Sequence, residues 1–243
     1  MEKQSNNMTV YPRDKKFRFS CHHGLDCFNN CCRDINIYLT PYDVLRMKNK
    51  LGIKSGDFLE NYTTQQDNGG FPAVLIKMNE DDNLKCPFLT PGGCQVYDVR
   101  SWACRIAPVD VTESGYGFIF DSTFCHGLNE DKEWTVEEWT QNQGLEIYEQ
   151  KEKSFNRIPL HFHFTGMKNL DKHIKDVVFM ACYDLDKFRK FIFETGFLSY
   201  FWVNPEQLDK IREDDEALLQ FSFHWLLNDF EEDLTMEIMD EMK

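Results

Sequence analysis

Apolar residues recur at helical spacing in several segments of the chain, and capping residues flank these segments. Thr40 followed by Pro41 is typical of a helix start, and Gly52 supplies a stop, so a helix is predicted between them. Its buried face would contain Val44, Leu45, Met47 and Leu51. Ser55 is predicted to cap the next helix, which ends near residue 62. Further helices are predicted at about 135–155, where Thr135 and Glu138 have capping-box spacing, at 184–194, and at 205–230 with a break near Asp214.

Strands are predicted where apolar and polar residues alternate or where β-branched residues are frequent. Residues 73–78 have strand composition and lead into a turn at 79–83, whereas the polar run 65–70 is predicted to be a loop. Residues 116–120 are predicted to form another strand. Polar and apolar residues also alternate over residues 161–164, which predicts a strand there.

These elements predict an α+β fold. An irregular cysteine-rich region with short helices and a small antiparallel sheet would be followed by a mostly helical C-terminal half. A chain of 243 residues with 42% hydrophobic content can bury a substantial core. We therefore expect two consecutive domains, a cysteine-cluster domain over residues 17–127 and a mostly helical region over residues 128–243 that packs against it.

Charge and hydropathy limit the partners of the chain. The net charge of -14 is uneven, because residues 205–243 carry 13 acidic against 3 basic side chains. This balance offers no basic footprint for a phosphate backbone, so nucleic-acid binding is not expected. We expect the acidic stretch to form solvated helix faces, with binding of a protein partner as the alternative. The chain shows neither an apolar signal core nor the ~18 consecutive apolar residues of a membrane span, which predicts a cytoplasmic protein without a membrane partner.

Cysteine is the most informative residue type, because eight of the nine cysteines lie in two short clusters. The first cluster, CHHGLDCFNNCC, contains Cys21, Cys27, Cys31 and Cys32. The second cluster and the segment after it contribute Cys86, Cys94, Cys104 and Cys125. Thiols in a reducing cytosol persist as thiols or metal thiolates, and the neighbouring Gly, Pro, Asn and Asp let the backbone bend round an ion. The clusters therefore predict metal ligands, whereas Cys182 lies alone in an apolar segment and is predicted to be a core residue.

The number and type of metal centres stay open. Four plus four cysteines suit either two four-thiolate sites or one larger polynuclear site. Because neighbouring Cβ vectors diverge, Cys31 and Cys32 would serve different metals, or one would bind while the other packs. Zinc and iron–sulfur clusters both accept four thiolates, and the adjacent cysteines with single ligands from distant loops favour an iron–sulfur cluster over Zn²⁺. Simple burial of the cysteines does not explain a Cys-Cys pair beside turn-forming residues.

Several motifs, taken in order, resemble a known family. CFNNCC followed by INIYLTPYDVLRMKNKLGI, then CPFL, GGCQVYDVR and ACRIAPV, is similar to the YkgJ-like cysteine-cluster family of the CxxCxxCC type, over about residues 17–127. The resemblance implies a zinc- or iron-chelating domain. Distant relatives include flagellin lysine N-methylase, for which an iron–sulfur cluster is implied. The gap in CHHGLDC is longer than the usual CxxC of the family, which leaves the role of Cys21 open.

Two functions are compatible with these observations. The first is a metal-binding protein whose eight clustered cysteines hold the metal for a structural, redox or metal-handling role. The second is a cluster-dependent enzyme that modifies a protein or a small molecule. The chain has no Walker loop, dinucleotide-binding glycine fingerprint or GxSxG elbow, and it lacks the CxxxCxxC triad expected of a radical SAM enzyme.

Histidine and arginine side chains add further candidates. Three histidines beside predicted ligands could bind the metal or hydrogen-bond to its ligands: His22, His23 and His126. A second histidine set would share one face of the predicted strand and could hold an ion: His161 and His163. Arg100 and Arg105 flank Cys104, where they could donate to sulfur or bind an anion, although structural ion pairs are the simpler expectation.

Overall fold

A computed structural model of the protein describes residues 9–164, residues 170–227 and the backbone of residues 236–238. The strands in chain order are β1 Phe17–Arg18, β2 Tyr38–Leu39, β3 Thr63–Asn68, β4 Phe71–Ile76, β5 Leu89–Thr90, β6 Gly93–Cys94, β7 Val109–Thr112, β8 Gly115–Phe118, β9 Glu133–Trp134, β10 Phe201–Val203 and β11 Met236–Ile238. The helices in chain order are α1 Pro41–Leu51, α2 Ser55–Tyr62, α3 Trp102–Ile106, α4 Val136–Asn142, α5 Glu146–Glu152, α6 Ile158–Phe164, α7 Lys172–Tyr183, α8 Leu185–Glu194, α9 Phe197–Tyr200, α10 Pro205–Glu213 and α11 Asp215–Leu227. No helix in these described segments is long and apolar enough to cross a membrane.

The chain forms two compact units, each assembled from two separate segments. The first unit contains Met1–Ile37 and Met78–Ile147, and the second contains Tyr38–Lys77 and Tyr148–Lys243. The units therefore alternate along the chain, whereas the sequence predicts consecutive domains that meet after residue 127. Whether either predicted segment folds as an independent domain stays a prediction.

The first unit contains little regular structure and is built round an aromatic cluster. Its strands pair antiparallel in twos, β1 with β9, β5 with β6 and β7 with β8. Phe17 and Phe19 both meet the ring of Trp139 edge-on. The indole N–H of Trp139 donates to the carbonyl of Ile106 at 2.9 Å, and that of Trp134 donates to the carbonyl of Phe19 at 2.8 Å. These hydrogen bonds let large aromatic side chains be buried without leaving a polar group unpaired.

The second unit combines a small sheet with longer helices. Strand β4 lies between β2 and β3 and pairs antiparallel with both. The helices α1, α7, α8 and α11 supply fully buried apolar side chains, which include Val44, Met47, Val178, Ala181, Phe188, Ile192, Leu218 and Phe223. Burial of this amphipathic set is the main source of stability expected for such a unit.

The predicted fold class is confirmed, because short helices and small antiparallel sheets precede a mostly helical C-terminal half. Thr40 starts α1 with a capping box, and Gly52 ends it in the left-handed conformation at φ 67°. Thr135 starts α4 with the second predicted capping box. Asp184 caps α8, and the predicted break near Asp214 separates α10 from α11. The last three residues of that predicted helical region, 228–230, lie outside the described residues.

Two predictions of local structure are wrong. Residues 161–164 alternate in polarity but belong to α6, so His161 and His163 project from roughly opposite sides of a helix instead of sharing a strand face. They are therefore not placed to hold an ion as a pair. The polar run 65–70 is predicted as a loop, yet residues 65–68 belong to β3, which pairs with β4 along its whole length.

Two helix boundaries also differ from the prediction. Residues 135–155 form two helices, α4 and α5, because Gly144 adopts the left-handed conformation at φ 64° between them. Ser55 is the first residue of α2 and not its cap. Its hydroxyl instead contacts the carboxylates of Asp184 and Asp186 at 2.7 and 2.9 Å.

Candidate metal centre

All eight clustered cysteines lie in the first unit, mainly on loops and in short elements. Cys31 and Cys32 share one short 3₁₀ helix, Asn30–Cys32, and Cys104 lies in α3. All nine cysteines lie in the described residues, and none of them forms a disulfide bond. Cys182 lies in α7 of the second unit and is 1% exposed, which confirms its prediction as a core residue.

Four cysteines form what we call the first thiol group: Cys21, Cys27, Cys31 and Cys125. Backbone contacts bring their segments together, since the N–H of Ser20 donates to the carbonyl of Gly127 at 3.0 Å. The N–H of His126 donates to Sγ of Cys27 at 3.3 Å. The pKa of Cys21 is raised to about 11, first by burial and then by the negative charges of the other three thiolates of the group. A like charge shifts a pKa only at short range, so these four side chains are neighbours.

Gly127 allows this close approach. A Cβ at residue 127 would lie 2.7 Å from the carbonyl oxygen of Ser20 and 2.9 Å from the ring of Phe19. A residue with a side chain would therefore push the segment that carries Cys125 away from the segment that carries Cys21. The sequence analysis missed this role, although a glycine two residues after a predicted ligand was a visible signal.

Three cysteines form what we call the second thiol group: Cys86, Cys94 and Cys104. The N–H of Leu89 donates to the carbonyl of Cys86 at 3.0 Å, and Leu89 pairs with Cys94 across β5 and β6. Burial is the largest cause that raises the pKa of Cys86 to about 12, and the charges of Cys104 and Cys94 raise it as well. The same two thiolates lie close enough to Arg100 to oppose the fall in its pKa that burial causes.

Cys31 and Cys32 lie where the two groups adjoin. The N–H of Cys86 donates to the carbonyl of Cys32 at 2.9 Å, which ties the second thiol group to this residue. A side-chain hydrogen bond with Cys32 is the largest cause that raises the pKa of Cys31, followed by burial. The two groups are therefore adjacent in space, and the pair of neighbouring cysteines is the chain segment common to both.

Backbone N–H groups donate to several of the sulfurs. Burial raises the pKa of Cys125, and hydrogen bonds from the N–H groups of Gly127 and Leu128 lower it. Burial also raises the pKa of Cys94, and a hydrogen bond from the N–H of Val96 lowers it. Such donors stabilise the thiolate, which is the form that binds a metal, and they tune the potential of an iron–sulfur cluster.

A comparison with protein families supports this interpretation. Residues 20–135 match the family model CxxCxxCC, described as "Putative zinc- or iron-chelating domain". Residues 20–135 are therefore similar to a CxxCxxCC domain, and we use this name for that segment. The match includes every clustered cysteine and confirms the predicted family. Comparisons with curated proteins and with solved structures gave no match for the chain.

The donor set of the CxxCxxCC domain fits zinc or iron, because thiolate sulfur is a preferred ligand of both. Across the described residues, however, no three Cys, His, Asp or Glu side chains converge closely enough to hold one ion. The raised pKa values of Cys21 and Cys86 mean that these thiols are protonated at neutral pH, so metal binding must displace their protons. We expect the side chains and the loops that carry them to move together when a metal ion binds, because the thiolates alone would repel one another.

The histidines near the CxxCxxCC cysteines make contacts of their own. Nε2 of His22 lies 3.4 Å from the carboxylate of Glu130, and Nε2 of His126 lies 3.2 Å from the carbonyl of Thr123. The ring of His23 packs against a phenylalanine ring with centroids 4.2 Å apart. Their predicted roles as metal ligands or as hydrogen-bond partners of the ligands stay predictions.

Arg100 and Arg105 brace the segment that carries Cys104. Arg100 donates to the side-chain oxygen of Gln143 at 2.5 Å and to the carbonyl of Tyr97 at 2.9 Å. Arg105 donates to the carbonyl of Gln143 at 2.7 Å and to that of Arg100 at 3.0 Å. These fork-shaped hydrogen bonds fix the backbone on both sides of α3. The predicted contact of either guanidinium with cluster sulfur or with an anion stays a prediction.

Proposed function

We propose that the CxxCxxCC domain binds zinc, or iron in an iron–sulfur cluster, through its eight clustered cysteines: Cys21, Cys27, Cys31, Cys32, Cys86, Cys94, Cys104 and Cys125. The proposal rests on one observation. Folding brings cysteines from distant parts of the chain into one compact unit, while Cys182 alone lies in the other unit. Core packing gives no reason for this separation, because free cysteine is equally suited to either core.

We further propose that the metal has a structural role as its minimum function. The first unit has strands of only two to four residues and two short helices, α3 of five residues and α4 of seven. Loops of this kind gain order when thiolates from separate segments bind one metal, and the binding free energy then contributes to folding. A redox or metal-handling role would be added to this structural one. Free thiols favour a reducing compartment, which is the reason for placing the protein in the cytoplasm.

The first test is the metal and acid-labile sulfide content of anaerobically purified protein, measured together with its visible spectrum. Iron with matching sulfide and a brown colour would identify an iron–sulfur protein. Colourless protein with zinc would identify a zinc site. Protein that is folded and contains neither metal, and that takes up neither Zn²⁺ nor iron with sulfide on reconstitution, would contradict the proposal.

The ligands are tested by substitution. We expect Cys31→Ala and Cys104→Ala to lower the bound metal to about half or less, because each removes one of the proposed thiolate ligands. Cys182→Ala is the matched control, since it removes a cysteine from the second unit and should leave the metal content unchanged. Unchanged metal in both Cys31→Ala and Cys104→Ala would exclude these residues as ligands.

A further inference from the structure

We propose that the outer edge of β3 is a dimerisation surface, to which a second copy of the chain adds its own β3 in antiparallel orientation. The surface consists of residues 64–68 and lies entirely within the second unit. It is separate from the cysteine clusters, so the proposal goes beyond metal binding and does not depend on it.

The hydrogen-bond pattern of the β3–β4 hairpin decides which backbone groups of β3 point outward. Asp67 lies opposite Pro72, which has no N–H, so this pair does not exchange both backbone hydrogen bonds. Bonded and non-bonded pairs alternate in an antiparallel ladder, so Gln65 also belongs to a non-bonded pair. The N–H of Lys77 donates to the carbonyl of Tyr62 at 2.9 Å, which is a bonded pair that this alternation requires. The N–H and C=O groups of Gln65 and Asp67 therefore point away from β4.

This outward row has no strand partner among the described residues. Strand β3 is last in the order β2–β4–β3, and residues 64–68 are all exposed. Edge strands are usually protected by lysine, proline, a bulge or a short length. Strand β3 has six residues in unbroken register with β4, without lysine or proline, and its one charged side chain, Asp67, forms an ion pair with Lys175. The opposite edge is protected, because β2 has only two residues and Pro72 removes an N–H beside it.

A second β3 fits this edge with two-fold symmetry about Gln66. In this register Gln65 of each copy exchanges both backbone hydrogen bonds with Asp67 of the other copy, through the groups that point outward. The side-chain amide of Gln65 then lies beside the carboxylate of Asp67 and can donate to it. Gln66 lies opposite itself, and Thr64 lies opposite Asn68, so no like charges face each other. The edge is therefore complementary to a copy of itself.

The neighbouring two-fold registers are less favourable. Symmetry about Asp67 would place two carboxylates directly opposite each other, which is destabilising. Symmetry about Gln65 would need bonded pairs with Thr63, which is only 9% exposed and directly follows α2. The register about Gln66 uses only exposed residues of the strand.

Sedimentation equilibrium of the full chain over a range of protein concentrations tests the proposal. The salt concentration is about 0.15 M, which screens the repulsion between two copies of net charge -14 beyond ~8 Å. We expect the wild type to form a dimer. Gln65→Pro should raise the dissociation constant about tenfold or more, because it removes an outward N–H and leaves the ladder with β4 intact. Gln65→Thr keeps this N–H and is the control, with an expected change of less than about fivefold.

Cross-linking tests the register and covers the case in which Gln65→Pro does not fold. The symmetry axis places Gln66 opposite its copy in a non-hydrogen-bonded pair, whose Cα atoms lie about 4.5 Å apart, within reach of a disulfide. Oxidation of Gln66→Cys with oxidised glutathione should therefore join two chains through the introduced thiols, and mass spectrometry of the linked peptides locates the bond. Thr64→Cys is the control and should give no such link, because its position faces Asn68 of the other copy.

Three outcomes would overturn the proposal. The first is a wild type that stays monomeric at every concentration, whether the edge of β3 remains free or binds a strand of another protein. The second is a dimer whose dissociation constant is unchanged in folded Gln65→Pro, and the third is equal cross-linking of Gln66→Cys and Thr64→Cys. None of these outcomes bears on the metal content of the first unit, which is measured separately.

Discussion

At the scale of single residues, the second unit contains a carboxyl group in an unusual environment. Glu152 in α5 is only 7% exposed, and the hydroxyl of Thr40 donates to its carboxyl oxygen. Burial raises the pKa of Glu152 to about 8, the hydrogen bond from Thr40 opposes this shift, and the charge of Asp43 adds to it. The charges of Glu152 and Asp43 in turn contribute to raising the pKa of Tyr183, which burial raises most. Glu152 is therefore protonated at neutral pH.

This protonation makes the stability of the second unit depend on pH. The folded state keeps a proton on Glu152 up to about pH 8, whereas the unfolded chain releases it near the ordinary value of 4.5. The stabilising contribution is therefore complete below pH 4.5 and is lost as the pH rises through about 8. We expect the wild type to lose on the order of 2 kcal/mol of unfolding free energy from this group between pH 6 and 9.

The substitution Glu152→Gln should remove this component, because glutamine is neutral at every pH in the range. Urea unfolding of both proteins at pH 6 and pH 9, followed by circular dichroism, measures the difference. Glu149→Gln on the exposed face of the same helix is the control and should keep the wild-type slope. An identical loss of stability in Glu152→Gln and the wild type would show that this carboxyl does not titrate as expected.

At the scale of elements, local signals were predictable from the sequence and long-range pairing was not. The bounds of α1 follow from Thr40 and Gly52, which act on backbone groups within a few residues of themselves. Strand β3 is polar because it is the edge of its sheet, and its existence depends on pairing with β4. The alternation at residues 161–164 was misleading, although Pro159 in the preceding turn was a helix-start signal.

Three helices of the second unit are joined by a charge network that sequence patterns did not predict. Lys48 in α1 is 5% exposed, and its Nζ lies 2.7 Å from a carboxylate oxygen of Asp215 in α11 and 3.8 Å from one of Asp186 in α8. Arg189 in α8 also donates to Asp215 at 2.5 Å. A buried lysine of this kind is tolerated because carboxylates surround its charge.

We expect Lys48→Met to destabilise the protein by on the order of 2–4 kcal/mol, because it leaves partly buried carboxylates short of a positive charge. In this variant Asp215 still pairs with Arg189. The loss of stability should therefore be smaller than for a buried carboxylate that has no positively charged partner. The free energy from urea unfolding measures the effect. Lys190→Met, at an exposed position of α8, is the control and should change stability by less than about 0.5 kcal/mol. Equal stability of Lys48→Met and the control would show that the network contributes nothing.

At the scale of the whole molecule, the sequence showed which cysteines cluster along the chain but not how tertiary contacts group them in space. The spacing of the cysteines along the sequence is enough to recognise the two clusters and the isolated position of Cys182. The grouping of Cys125 with Cys21 depends on the contact between Ser20 and Gly127, two residues far apart in the chain. Such closure depends on tertiary packing, and no local spacing rule reports it. The division of the chain into alternating units was hidden for the same reason.

The two units should differ in their dependence on metal. The first unit has short strands and few helical residues, so bound metal would supply much of its order, whereas the second unit has its own core of buried helices. Removal of metal with EDTA should therefore speed hydrogen exchange in peptides from residues 86–106 and 125–129 by on the order of tenfold or more. Peptides from α7 and α11 should keep their protection. Hydrogen–deuterium exchange with mass spectrometry, before and after chelation, measures both. Equal loss of protection in α7 and α11, or no change in either unit, would contradict a structural role of the metal in the first unit.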